Sequence, residues 1–191
     1  MMHPAFWEMV SLVRSRGHRP YTITNGSALP YPELVAEAFP EIGISIDSLD
    51  AAEAERIGRT HLDRVLRNLD RLLELMSASR VVVHTVDVGQ PLEALKAFVR
   101  GKGLRHLVQP LQRKEDYRRF YDAAVSASDH GRTGACMHLR RPQMRYFNIE
   151  GVEMPCAFIK DTSSYRGVQA LYDEFAERRV PECCRGCEAL M

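Results

Sequence analysis

Apolar residues recur at spacings of three and four through residues 6–16, 32–39, 51–76 and 91–102, and between these stretches lie short runs rich in β-branched residues. The first spacing predicts amphipathic helices and the short runs predict strands. The chain opens with a helix over Pro4 to Arg16, His3 standing at its cap and Phe6, Met9, Val10 and Val13 on one face. Tyr21 to Thr24 reads as a strand stopped by Asn25-Gly26, and Pro32 to Phe39 as a short helix with Leu34, Val35 and Ala38 inward. Gly43 to Asp47 is the second strand. A long helical stretch follows from Ala51 to Met76, with a break expected at Gly58-Arg59-Thr60. Val81 to Val86 is apolar on both faces, as a buried parallel strand should be, and Pro91 to Lys102 and Leu107 to Pro110 supply a further helix and a fourth strand.

Strands alternating with helices predict an α/β fold with a parallel sheet, either a partial barrel or an open doubly wound sheet. Ligands in such folds gather at the carboxyl ends of the strands. Those ends carry Thr24-Asn25-Gly26, Ser45-Ile46-Asp47, His84-Thr85 and Gln109-Pro110-Leu111, a polar set on an apolar framework and a candidate pocket rim. Taken singly, Asn25-Gly26 reads equally as a turn and Asp47-Ser48 as a helix cap. His84, near Asp87, is a candidate base. The charged and aromatic run Asp116 to Tyr121 predicts a helix that borders a substrate entry or simply faces solvent.

The last third changes character. Cys136, Cys156, Cys184 and Cys187 follow the pattern C-x14-G-x4-C, then a gap of 27 residues, then C-x2-C. A C-x2-C pair lets two thiolates reach one ion or cluster from a single turn, and a distant pair then closes over it, so the spacing suits a four-thiolate metal site with Cys183 spare. Arg145 to Ile149 and Val152 to Cys156 flank Glu150-Gly151 as a β-hairpin that carries Cys156. Val168 to Arg179 has helical periodicity and ends at Val-Pro-Glu, just before Cys-Cys-Arg-Gly-Cys. Tetrahedral zinc and an iron–sulfur cluster draw on the same ligands, and at this point both stand.

Composition narrows the partners. Of 191 residues, 45% are hydrophobic and 27% charged, and 26 basic side chains meet 25 acidic ones. No global basic field exists to recruit nucleic acid. Without an apolar run of the roughly 20 residues that span a bilayer, and without a secretory leader, the cysteines point to metal ligation in a reducing cytoplasm and not to disulfides.

The cysteine pattern with its helix and Pro-Glu-Cys-Cys-Arg-Gly-Cys close resembles the SPASM or twitch-type C-terminal extension of radical S-adenosylmethionine (SAM) enzymes, which carries auxiliary iron–sulfur clusters. Upstream, HPAFWEMVSLVRSRGH, ITNGSAL, ISIDSLDAAEAERI, LDRVLRNLDRLLEL and VVVHTV resemble successive stretches of the radical SAM partial barrel, in the expected order. The resemblance implies a partial (β/α) barrel over residues 1–125 and a small Cys-rich domain over 126–191. It implies an auxiliary [4Fe–4S] cluster on Cys136, Cys156, Cys184 and Cys187, with zinc as the alternative metal. Ser45 and Asp47 correspond to the strand that approaches the SAM amino acid and ribose, Leu111 to the position beside adenine, and Asn25 to the same rim. Arg59 matches more loosely, because the family's arginine precedes the glycine and here Gly58 comes first.

The departures set the expected role. The family's C-x3-C-x2-C and Gly-Gly-Glu-Pro segments are absent from the sequence, which begins at what would be the second barrel helix. A cluster with four thiolates has no open iron for SAM to chelate, so SAM becomes a cofactor only with a completing partner. The implied protein is a C-terminal portion or split subunit acting on a peptide or small metabolite. The alternative is a non-catalytic iron–sulfur or zinc-binding scaffold. Tyr21 to Thr24, left as a sheet edge without proline or charge, is the expected site of pairing with a partner or a second copy.

Overall fold

In the computed structural model of the chain, helix–strand alternation becomes a four-stranded sheet. Residues 3–111, 136–142, 144–159, 162–187, 189 and 190 are described. They fall into two units, Met1–Pro110 and Leu111–Met191. The boundary expected at 125/126, and the helix expected over 116–121, lie outside the described residues.

The first unit runs α1 (Phe6–Ser15), β1 (Tyr21–Thr24), α2 (Pro32–Ala38), β2 (Glu41–Ser45), α3 (Ala51–Arg56), α4 (Leu62–Leu75), β3 (Val81–Asp87), α5 (Glu93–Gly101) and β4 (Arg105–Pro110). All neighbouring strands are parallel, in the order β1-β2-β3-β4. Successive side chains on a strand point to opposite faces. Ile42 and Ile44 on β2 and Val81 and Val83 on β3 therefore share one face, and they form a single buried cluster with Val35, Leu69, Leu72, Leu95 and Val99 from α2, α4 and α5. Burying each such side chain contributes roughly 1.5–3 kcal/mol. The other face carries Tyr21, Ile23, Gly43, Val82, His84 and Leu107, of which Tyr21, Ile23 and Leu107 are exposed.

Several elements shift from their expected bounds. The second strand is Glu41–Ser45 and not Gly43 to Asp47, since Glu41 and Ile42 already pair with Tyr21 and Thr22. Leu34 and Met9 face solvent instead of the core. α2 is turned so that Pro32, Val35 and Ala38, three residues apart, are the buried ones. The long helical stretch breaks where expected, between α3 and α4, with Gly58 and His61 both in the left-handed region. The Asp50 carboxylate caps α3 by accepting from Glu53 N–H at 2.8 Å, so Asp47-Ser48 is not the cap.

The second unit runs α6 (Met137–Arg140), β5 (Tyr146–Phe147), β6 (Glu153–Met154) and α7 (Val168–Ala176), closing with a 3-10 turn over Glu182–Cys184. The hairpin is present but its paired strands are two residues each. Asn148 builds the turn: its side-chain oxygen accepts from Glu150 N–H at 3.1 Å and Val152 N–H at 2.8 Å, and Gly151 takes a positive φ of 77°. The last helix stops at Ala176, short of the expected Arg179, and Arg178 then turns left-handed at φ 60°.

Candidate cofactor pocket and cysteine centre

At the carboxyl ends of β1 and β2 the chain leaves the sheet through residues with short polar side chains. Asn25 forms an Asx turn, accepting from Ser27 N–H at 3.2 Å and Ser27 Oγ at 3.0 Å. Gly26 is left-handed here, and an added Cβ would meet Ile44 Cγ2 and Val65 Cγ1 at 3.0 Å. After β2, Ile46 N–H still bonds His84 C=O, and then Asp47 turns its buried carboxylate back toward β3. One oxygen accepts from Val86 N–H at 2.6 Å and the other from Arg59 Nε, an ion pair linking β2 to the segment between α3 and α4. Gln90, also buried, fixes the same corner by donating to Asp47 C=O at 3.0 Å and Val86 C=O at 2.8 Å.

Asn25, Ser45, Asp47 and Arg59 thus line one cavity of about 70 Å³, together with Ser48 and Thr60. Leu111 follows β4 directly and is not among its lining residues. The volume is well below the roughly 300 Å³ at which small-molecule pockets begin. Both oxygens of Asp47 are engaged, one by Arg59 and the other by Val86 N–H.

The open sheet face holds a second polar group that the sequence did not reveal. His84 pairs with Tyr21 and not with Asp87, whose carboxylate accepts from Gly89 N–H. The Tyr21 hydroxyl and His84 Nε2 stand 2.6 Å apart. Burial lowers the His84 pKa and raises that of Tyr21, with Glu41 and Arg105 acting in opposite senses on each. The phenol and the imidazole share this hydrogen bond as neutral groups, and the imidazole tautomer sets which of them donates. The bond crosses over Gly43, where a Cβ would lie 2.8 Å from both Tyr21 Oη and His84 Cδ2. On the helix-facing side, Thr85 Oγ1 donates to Ile46 C=O at 2.6 Å, so it accepts from His106 Nε2 at 2.8 Å. That order fixes the proton on Nε2 of His106.

In the second unit, backbone bonds bring the cysteine segments together. Cys136 bridges Leu190 and Met137 N–H bonds Ala189 C=O, which sets the start of α6 beside the residues that follow Cys187. Cys156 comes two residues after β6. Cys183 and Cys184 lie in the 3-10 turn, and Cys187 N–H returns to Cys184 C=O, with Gly186 left-handed between them. Cys136, Cys156, Cys183 and Cys184 are buried in one cluster with Cys187 packed against it. Cys183 Sγ and Cys184 Sγ are 3.9 Å apart, well beyond the roughly 2 Å of a disulfide. The Cys184 thiol is pushed far above the ordinary range, first by its hydrogen bond with Cys183, then by burial, then by the nearby Cys183, Cys136 and Cys187. Crowded, buried thiols resist ionisation unless a cation joins them.

The donor set suits a soft metal or an iron–sulfur cluster in residue type and in the convergence of its segments. Among the described residues, no three His, Cys, Asp or Glu side chains stand in a metal-holding arrangement. Nor is any helix among them long and apolar enough to cross a membrane. Comparison with protein-family models and with curated proteins finds no match to this chain.

Proposed function

We propose that the chain is the C-terminal portion or a split subunit of a radical SAM/SPASM-type protein, with the parallel sheet as part of a partial barrel and the second unit as its auxiliary cluster domain. Cys136, Cys156, Cys184 and Cys187 would hold one [4Fe–4S] cluster, which when bound supplies one-electron chemistry. The observation that carries this reading is the gathering of the cysteines from three separated segments into one cluster, in which Cys136, Cys156, Cys183 and Cys184 are buried and Cys187 is half-buried. The first unit supports it less directly, through the cavity shared by Asn25, Ser45, Asp47 and Arg59.

On this reading the chain works in the cytoplasm on a peptide or a small metabolite. A partner, or a segment outside this sequence, supplies the three-cysteine site at which SAM is cleaved, and Tyr21–Thr24 at the sheet edge is where it pairs. Asp47 and Arg59 would face SAM from the same rim as Asn25 and Ser45. A non-catalytic scaffold holding iron–sulfur or zinc is the second reading, and the same cysteine ligands serve it.

Two measurements test the proposal. Acid-labile sulfide in the anaerobically reconstituted chain would eliminate zinc, whereas zinc without sulfide would eliminate the cluster. Incubated with SAM and a strong reductant, the chain alone should give no 5′-deoxyadenosine above background, and turnover should appear only with a protein that brings C-x3-C-x2-C. Clear turnover by the isolated chain would overturn the division of labour.

A further inference from the structure

Among the described residues of the first unit, helices cover one face of the sheet only. α1, α2, α4 and α5 all bury apolar side chains in the cluster on that face, whereas parallel sheets are ordinarily covered on both. On the open face, side chains from alternate strands meet. Tyr21 on β1 reaches His84 on β3 across Gly43 of β2, and Glu41 on β2 pairs with Arg105 on β4. The packed interior of an eight-stranded parallel barrel is built in this way, each layer drawn from alternate strands. Four strands in sequential order with their helices on one side are half of that closure. Both edges are open among the described residues: β1 has neither proline nor charge, and on β4 Leu107 and Val108 are exposed on opposite faces.

We infer that a second copy of this chain closes the sheet, the two four-stranded sheets forming one eight-stranded parallel barrel about a twofold axis, with β4 of each copy beside β1 of the other. The inference goes beyond the reading above, in which a completing partner takes the β1 edge; a second copy takes it in that partner's absence. Parallel addition of β1 to β4 satisfies the unpaired backbone groups of both edges. Inside, Tyr21, Ile23 and Leu107 of both copies leave water together. The same face carries Glu41 and Arg105 as an ion pair, so two copies of it meet without net charge. Outside, α1 precedes β1 and falls at the junction, where a barrel sets a helix between successive strands. Its exposed Met9 and Leu12, three residues apart, then cover Val108, which is exposed in the single chain. Two edges and one face per copy give a contact on the order of the 1,200 Å² at which stable interfaces begin.

At low micromolar concentration, light scattering should give the mass of two chains for wild type and of one chain for Ile23→Arg and Leu107→Arg. Both side chains are exposed in the single chain, so the substitutions leave its fold in place, as circular dichroism would verify. Leu34→Arg, at an exposed position on α2, should remain a dimer. Hydrogen exchange of wild type reads the edges without any substitution: the amides of β1 and β4 should slow as concentration rises through the dimer transition. A wild-type monomer, a dimer that survives both inner-face substitutions or is lost equally in Leu34→Arg, or edge exchange independent of concentration would overturn the inference. Iron uptake read on the same samples separates the two proposals. A monomer that takes up iron and sulfide overturns the barrel alone, and a dimer that takes up neither overturns the cluster reading alone.

Discussion

The two units are held by different means. In the first, the buried cluster is built mostly of branched aliphatic residues layered between four helices and one face of a parallel sheet. In the second, four of the ten buried residues in the described cluster are cysteines, the hairpin strands are two residues long and α6 is four. Burial of Ile, Leu and Val is sufficient to explain the first arrangement. Small units with little regular structure need a cross-link or a metal, and buried thiols are the donors available for one. The difference teaches that the sheet is read from periodicity and the second unit from chemistry. Damage to one should leave the property specific to the other in place.

Leu69→Ala should produce the largest effect. Leu69 is fully buried between α4 and the sheet, and its truncation should cost about 2–5 kcal/mol, read as a lowered urea midpoint of the first unit. Iron uptake by the cysteines should be unchanged, and its parallel loss would break the distinction between the units. Asp47→Ala comes next, because it strands both Arg59 and Val86 N–H. About 2 kcal/mol is expected from the charged hydrogen bonds removed, with Asp47→Asn milder since it keeps an acceptor.

Gly43→Ala should cost roughly 1–2 kcal/mol, as the methyl drives Tyr21 from His84. Loss of the hydrogen-bonded tyrosine signal in nuclear magnetic resonance would report it, and an unchanged signal would show that the strands yield instead. The smallest effect concerns pH. Burial lowers the pKa of His84 and, with Lys96 adding to it, of His106. The unfolded chain then binds more protons than the folded one below about pH 6.5, so stability held at pH 7 declines as the pH falls toward 5. His84→Gln should flatten that decline in paired urea titrations at the two values, and an unaltered slope would assign it to other groups.

Where local pattern and burial agreed, the sequence was readable. Val81 to Val86 is apolar on both faces, and it lies near the centre of the sheet. The break between α3 and α4 followed from Gly58. The second strand was misplaced because Glu41 looks like loop while Asp47 continues the run; in fact Asp47 replaces backbone with side chain as the acceptor for Val86 N–H. Leu34 misled because apolar residues also face water, and only the helix's rotation tells which face is inward. Of the expected SAM contacts, Asn25, Ser45, Asp47 and Arg59 meet in one cavity, since strand ends of a parallel sheet converge. The Tyr21–His84 pair depends on strand register across 63 residues, so it had no local signal.

On the proposed reading the second unit is organised around a four-thiolate iron–sulfur centre. Iron and acid-labile sulfide per chain, measured after anaerobic reconstitution of wild type, Cys183→Ser and Cys187→Ser, test it most directly. About four iron and four sulfide are expected in wild type. Cys183→Ser should match it and Cys187→Ser should fall clearly short. Absence of iron from wild type, or equal losses from the two variants, would contradict it.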